Sequence, residues 1–196
     1  MSELTLEVGQ ANELKLAFRR HGYTAEEVKR LCEGNILAQT LLVIRGRAEV
    51  IMKSILTLLR NVRVPAQPAI TTSEKYFKEA GVVWMGNDFK AQFLGLEVPA
   101  TEEAELAVRK LEEASLDAPI LAELGDKAEI PVSQFCAFLA ANRESQEWFI
   151  FYLIGKNGKP WAVRAFWDSA DRGWRVYADS VEYPRGWSVG YRVVSR

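Results

Sequence analysis

The chain is poor in the residues that carry most recognisable chemistry, holding one histidine, two cysteines and three methionines in 196 positions. Cys32 and Cys136 are too few for a disulfide framework or a cysteine-rich zinc site, and both sit in apolar helical patterns that predict reduced, buried thiols. His21 is the only imidazole available to activate a serine or cysteine nucleophile. It falls at a predicted helix end, where a cation simply complements the helix dipole. Tetrahedral zinc would have to recruit carboxylates at no recognisable spacing. The stretch "GKNGKP" lacks the Gly-Lys-Ser/Thr order of a phosphate loop and reads as a turn. These absences leave the expectation of no catalytic residue, no metal and no cofactor. No apolar run approaches the roughly 20 residues that span a bilayer, and "MSELTLEVGQ" has no signal-peptide pattern. The expected address is the cytoplasm, with no membrane partner.

What is present is apolar content of 48% with 26% charged residues, the composition of a globular chain of one or two domains. The net charge of −1 conceals an uneven distribution. Residues 1–70 carry 10 basic and 7 acidic side chains, residues 71–147 carry 7 and 15, and residues 148–196 carry 8 and 4. Basic ends can steer an anionic partner, or be answered by the acidic middle.

The periodicities predict an α+β fold. Ala11, Leu14 and Phe18 mark one helix, closed near Gly22. Thr24 and Glu27 form a capping box for a second, with Val28, Leu31 and Cys32 inward. Leu37, Leu41, Ile44, Ala48, Ile51, Ile55 and Leu58 then repeat at 4-3 spacing, which predicts a long third helix through Gly46. That seam suits either an intramolecular bundle or a homodimer through residues 37–58. The stretch 61–72 has two prolines and no period, so the expected organisation is a helical module over 1–63, a linker over 64–72 and an α+β module over 73–196. In the last module Ser73 caps a short helix, "VVWM" is a short strand, and Thr101 to Ala114 reads as a helix with a solvated acidic face. The runs "EWFIFYLI", "WAVRAFW", "GWRVYAD" and "SVGYRVV" predict a four-stranded antiparallel meander. Asn157-Gly158 turns the first hairpin.

The segments "VVWMGNDFKAQFLGLEV", "LEEASLDAPILAELGDKAEI" and "GWSVGYRVVSR", within about Tyr76 to Arg196, resemble uncharacterised bacterial proteins. "LEVGQANELKLAFRRHGYTAEEVKRLCEG" with "RGRAEV" is similar to a separate uncharacterised N-terminal module. The resemblance implies no activity, substrate or site; it implies only two modules meeting near residues 61–72.

Two candidate surfaces emerge. In the predicted meander Trp161, Val163, Ala165, Trp167, Trp174, Val176, Ala178, Val189, Tyr191 and Val193 form the core face. The other face collects Arg164, Phe166, Arg175, Tyr177, Asp179 and Arg192, with Trp187 in the adjoining "EYPRGWS" loop. Planar rings between guanidinium groups suit single-stranded nucleic acid or an acidic peptide. The alternative is a packed sheet in which the arginine stems cover rings and Arg175 or Arg192 pairs with Asp179. The second surface is the N-terminal helical hairpin, whose turn spacing fits a helix-turn-helix with Arg19, Arg20, Lys29 and Arg30 as DNA contacts. Glu26 and Glu27 open its second helix and oppose phosphate, so a hairpin that only packs is the competing reading. The expected function is non-enzymatic binding of a protein or anionic partner, with DNA binding as the alternative and an enzyme without a visible motif as the third.

Overall fold

A computed structural model describes residues 7–20, 23–49, 53–183 and 185–196. The chain divides into two compact units, Met1–Lys53 and Ser54–Arg196. The first holds helices α1 (Val8–Arg20), α2 (Ala25–Cys32) and α3 (Ile36–Ile44), none of which buries a residue. The capping box forms as the sequence predicts: Thr24 Oγ1 accepts from the Glu27 N–H at 3.2 Å, and the Glu27 carboxylate accepts from the Thr24 N–H at 2.7 Å. His21, Gly22 and Ile51 lie outside the described residues.

The long third helix does not form. Gly46 adopts φ 65°, the Arg47 N–H bonds back to the Leu42 carbonyl and the Gly46 N–H to that of Val43. This is a Schellman closure, which turns the chain out of the helix after Ile44. The seam over 37–58 is therefore cut: Leu37, Leu41 and Ile44 stay in α3, whereas Leu58 belongs to a strand.

The second unit is built on a mixed seven-stranded sheet of order β1-β5-β9-β6-β7-β8-β3. Its strands are β1 (Leu56–Val64), β3 (Val82–Met85), β5 (Ala104–Leu111), β6 (Trp148–Ile154), β7 (Pro160–Asp168), β8 (Gly173–Ser180) and β9 (Arg192–Ser195). A two-stranded sheet pairs β2 (Ile70–Thr71) with β4 (Glu97–Val98). Helices α4 (Glu74–Glu79), α5 (Asn87–Phe93), α6 (Asp117–Leu124) and α7 (Val132–Ala141) complete the unit. No helix among the described residues is long and apolar enough to cross a membrane.

The α+β class agrees with the sequence reading, but the four-stranded meander does not. β6, β7 and β8 are consecutive antiparallel neighbours. β9 instead crosses over to lie parallel to β6 and antiparallel to β5. The segment 104–111, predicted helical, is β5. Leu106 and Val108 face one side and Ala107 and Leu111 the other, so a strand buried on both faces satisfies a helical stripe by coincidence. The start of β1 lies within the predicted third helix, because Leu58 continues the apolar repeat, although this edge strand buries only its end residues Leu56 and Val64. The expected boundary at 64–72 also moves. Residues 61–64 pair with 104–107, and Gln67 and Thr101 exchange backbone hydrogen bonds, so the prolines end a strand rather than separate modules.

Each sheet face has its own core. On one, Leu106, Val108, Phe149, Phe151, Val163 and Trp174 pack against Phe77 of α4, Phe89 and Phe93 of α5, and Phe135 and Phe138 of α7. The Trp174 indole donates to the Leu139 carbonyl at 2.9 Å. On the other, Leu111, Ile150, Tyr152, Ala162 and Val193 pack against Ile120 and Leu124 of α6 and against Trp187.

The fragment 54–196 is expected to fold alone, with a cooperative thermal transition and dispersed amide resonances. The fragment 73–196 removes β1 and the fully buried Val64, exposing β5, and should lack that transition. Equal cooperativity of the two fragments would refute this division.

Candidate functional site

Strand register decides which side chains share a face. Trp148 of β6 lies opposite Phe166 of β7, which lies opposite Arg175 of β8, which lies opposite Trp84 of β3. One row along, Ile150, Arg164 and Tyr177 are partners, and in the next Tyr152, Ala162 and Asp179. Ile150, Tyr152 and Ala162 belong to the core under α6, so all these residues stand on that face.

The aromatic members form a row across four strands. Trp84 and Tyr177 have ring centroids 4.5 Å apart, Tyr177 and Phe166 6.0 Å, and Phe166 and Trp148 4.2 Å. The last two pairs are nearly parallel, at 13° and 18°. Arg164 lays its guanidinium carbon 4.6 Å from the Tyr177 centroid and 5.9 Å from that of Trp148, within cation–π range. Trp148 and Trp84 at the two ends are 41% and 39% exposed, whereas Phe166 and Tyr177 are half-buried. Beside Trp148, residues Gln146, Glu147, Val189, Gly190, Tyr191 and Arg192 enclose an open cleft of about 280 Å³.

The arginines expected to make this face positive have three different environments. Arg175 is clamped by Asp168 at 2.8 Å and Asp171 at 2.6 Å. Backbone N–H groups of Asp171 and Ala170, followed by Arg175 itself, hold the Asp168 carboxyl below its ordinary range. Arg192 is in register with Phe149, so it stands on the opposite face. Its Nε donates to Glu147 at 2.6 Å, and Arg60 binds the other oxygen of that carboxylate at 2.5 Å. Burial alone would raise the Glu147 pKa, but the hydrogen bonds and charges of the two arginines outweigh it and hold the group low. Arg164 has no carboxylate partner among the described residues, and its Nε is buried without a hydrogen bond.

Two of the expected site residues therefore leave the site. Arg192 belongs to the other face because β9 is not the neighbour of β8. Trp187 is 2% exposed, and its indole donates to Asp117 Oδ1 at 2.7 Å, so it is a core residue rather than a contact. Arg164, Phe166, Arg175 and Tyr177 do come together. Trp148 and Trp84 join them and were missed, since "EWFIFYLI" reads as uniform core and "VVWM" is too short to show a face. Arg19, Arg20, Lys29 and Arg30 lie exposed in the last turns of α1 and α2. The first turn of α2 presents Glu26 and Glu27, the wrong sign for entry into a groove. Among the described residues no three or more His, Cys, Asp or Glu side chains are grouped to hold a metal ion.

The two clamped arginines should separate by stability. Arg192→Ala leaves Glu147 with Arg60 alone and should cost about 1 kcal/mol at neutral pH. Because the Glu147 pKa is lowered in the folded chain, its stabilisation is present above the ordinary carboxyl pKa and lost as pH falls through the lowered one. The difference between parent and variant in urea unfolding should then shrink in acid. Arg175→Ala leaves Asp168 its two backbone N–H donors and Asp171 half-exposed, so it should lower the midpoint less than Arg192→Ala does.

No protein-family model, curated protein or solved structure gives a significant match to the chain.

Proposed function

We propose that the chain is a non-enzymatic binding protein. The aromatic and arginine half of its sheet face would receive an acidic segment of a partner protein. The observation that carries the reading is the row Trp84, Tyr177, Phe166 and Trp148 with Arg164 lying over it, open at both ends. Trp, Tyr and Arg are the residues that dominate protein-binding hot spots, and a guanidinium already held against rings loses little freedom when it meets a carboxylate.

The same geometry favours a peptide over single-stranded nucleic acid. Bases stack on ring faces that are free, whereas Phe166 and Tyr177 spend theirs on each other and on their neighbours. A polyanion also needs a net positive track, but Asp168 and Asp171 already hold Arg175, and Asp179 lies 3.7 Å from Arg185. One carboxylate against Arg164 and one apolar side chain in the cleft beside Trp148 match what this face offers.

Selection from a displayed library of random peptides on the full chain tests the proposal, with oligo(dT) as the competing probe. Enriched peptides should pair an acidic residue with an aromatic or large aliphatic one. Arg164→Met and Trp148→Ala, with unchanged circular dichroism, should each weaken them about tenfold or more, the range of a hot-spot residue. Peptides indifferent to both substitutions would end the reading. Tighter binding of oligo(dT) through the same two residues would replace it with nucleic-acid recognition.

A further inference from the structure

The segment 185–191, which connects β8 to β9, is fastened to the sheet by a carboxyl group from elsewhere in the chain. Asp117, in the first turn of α6, is 1% exposed. Its Oδ1 accepts from the Tyr152 hydroxyl of β6 at 2.9 Å and from the Trp187 indole of the connection at 2.7 Å. Ser115 and Trp187 also exchange backbone hydrogen bonds of 3.1 and 2.8 Å, so the indole is held by main chain as well as side chain.

The second oxygen of Asp117 is buried and has no hydrogen-bond partner among the described residues, and the same holds for Oδ2 of Asp179 on β8. Tyr152, Ala162 and Asp179 are register partners across β6, β7 and β8, so only the alanine methyl separates the tyrosine and aspartate positions. Around the pair, β6 contributes the Tyr152 hydroxyl, β7 contributes no charge at Ala162, and the connection contributes Arg185, 3.7 Å from Asp179 Oδ1. Burial of Tyr152, reinforced by Asp117, pushes its pKa far up, so it remains a donor throughout the working range.

We infer that the segment 185–191 is a proton-operated latch, closed when Asp117 is a neutral carboxylic acid and loosened when it ionises. A proton on Oδ2 supplies a donor where two buried acceptors have none, while Oδ1 keeps both of its hydrogen bonds. Removing that proton leaves an anion buried close to a second carboxylate, a costly arrangement. Burial, the largest influence, raises the Asp117 pKa; the Trp187 and Tyr152 hydrogen bonds lower it, and Asp179 raises it again, for a net rise. A pKa raised in the closed state means that closure is fully supported below the ordinary carboxyl pKa. That support fades as pH rises through the raised value. The Trp187 ring lies 5.7 Å from Tyr191, and Tyr191 lies 5.8 Å from Trp148, so the latch reaches the end of the aromatic row. Any effect on partner binding rests on the reading above; the latch itself does not.

Amide hydrogen exchange on the full chain tests it, from about pH 4 to about pH 9, corrected for intrinsic exchange and referenced to the β6–β7 amides. The reporters are Trp187 N–H, bonded to Ser115, and Gly190 N–H, bonded to Leu111. Their protection should fall about tenfold or more as pH rises, the change that one unit of pKa difference allows. Asp117→Asn keeps an acceptor for Trp187 and Tyr152 but cannot ionise, so its protection should be independent of pH. Asp179→Asn removes the like charge but leaves the burial of Asp117, so the fall in protection should move to lower pH, deciding the matter if the first variant fails to fold. A parent profile without pH dependence, or one that both substitutions leave unchanged, overturns the latch.

Discussion

The placement of β9 is the constraint on which the second unit depends. Val193 and Val194 are both fully buried, one on each face of the sheet, while the backbone between them pairs with β5 on one side and β6 on the other. Without β9, β1 and β5 would be a two-stranded ribbon with no partner, and such ribbons are marginal in water. With it, one sheet runs from β1 to β3 and both cores extend along it. The chain must therefore travel from the end of β8 past β7 and β6 before entering β9. It does so over the face that carries α6, and Trp187 plugs that crossing. The crossing and α6 together cover one part of the face. They leave Trp84, Arg164, Phe166, Tyr177 and Trp148 only partly covered, which is why the candidate site lies where it does.

How much of this was legible depended on whether the signal was local. The Thr24–Glu27 box, the Ser73 cap and the Asn157-Gly158 turn involve residues three or fewer apart, and all three appear in the structure. The consecutive strands β6, β7 and β8 were legible for the same reason. Their order correctly placed Arg164, Phe166 and Tyr177 on one face. β9 was not legible, because alternation within "SVGYRVV" says nothing about which strand it will join. Assigning it to β8 put Arg192 on the wrong face. β1 and β5 failed differently. Buried on both faces or at the sheet edge, they spread apolar residues densely enough to satisfy a 3.6-residue period, and only their long-range pairing excludes a helix. Asp117 carried no signal either, since a carboxylate ahead of an apolar run reads as a helix-start residue.

Three arginines of one predicted face illustrate why charge counting cannot find a site. Arg175 is neutralised by a turn four residues away, in which Asp168 also accepts from the Ala170 and Asp171 N–H groups. Arg192 is neutralised by a carboxylate forty-five residues away, brought close by the parallel pairing of β6 and β9. Arg164 meets rings instead, because its neighbours across the strands are Ile150 and Tyr177. Formal charge is identical in the three cases. The potential available to a partner is not, since a guanidinium already paired with carboxylates must lose those bonds before it can gain another.

The row of rings bears on affinity through order as much as through area. A side chain immobilised on binding costs about 0.5–1.5 kcal/mol, and an exposed arginine has more rotamer freedom to lose than most. Here Arg164 is already confined between Tyr177 and Trp148, and Phe166 is already fixed between Trp148 and Tyr177. Folding has therefore met most of that cost before a partner arrives. What remains is a guanidinium with no carboxylate partner among the described residues, set between the Tyr177 ring and the partly exposed Trp148 indole. Such a surface gains most from a ligand that brings its own negative charge together with its own apolar side chain.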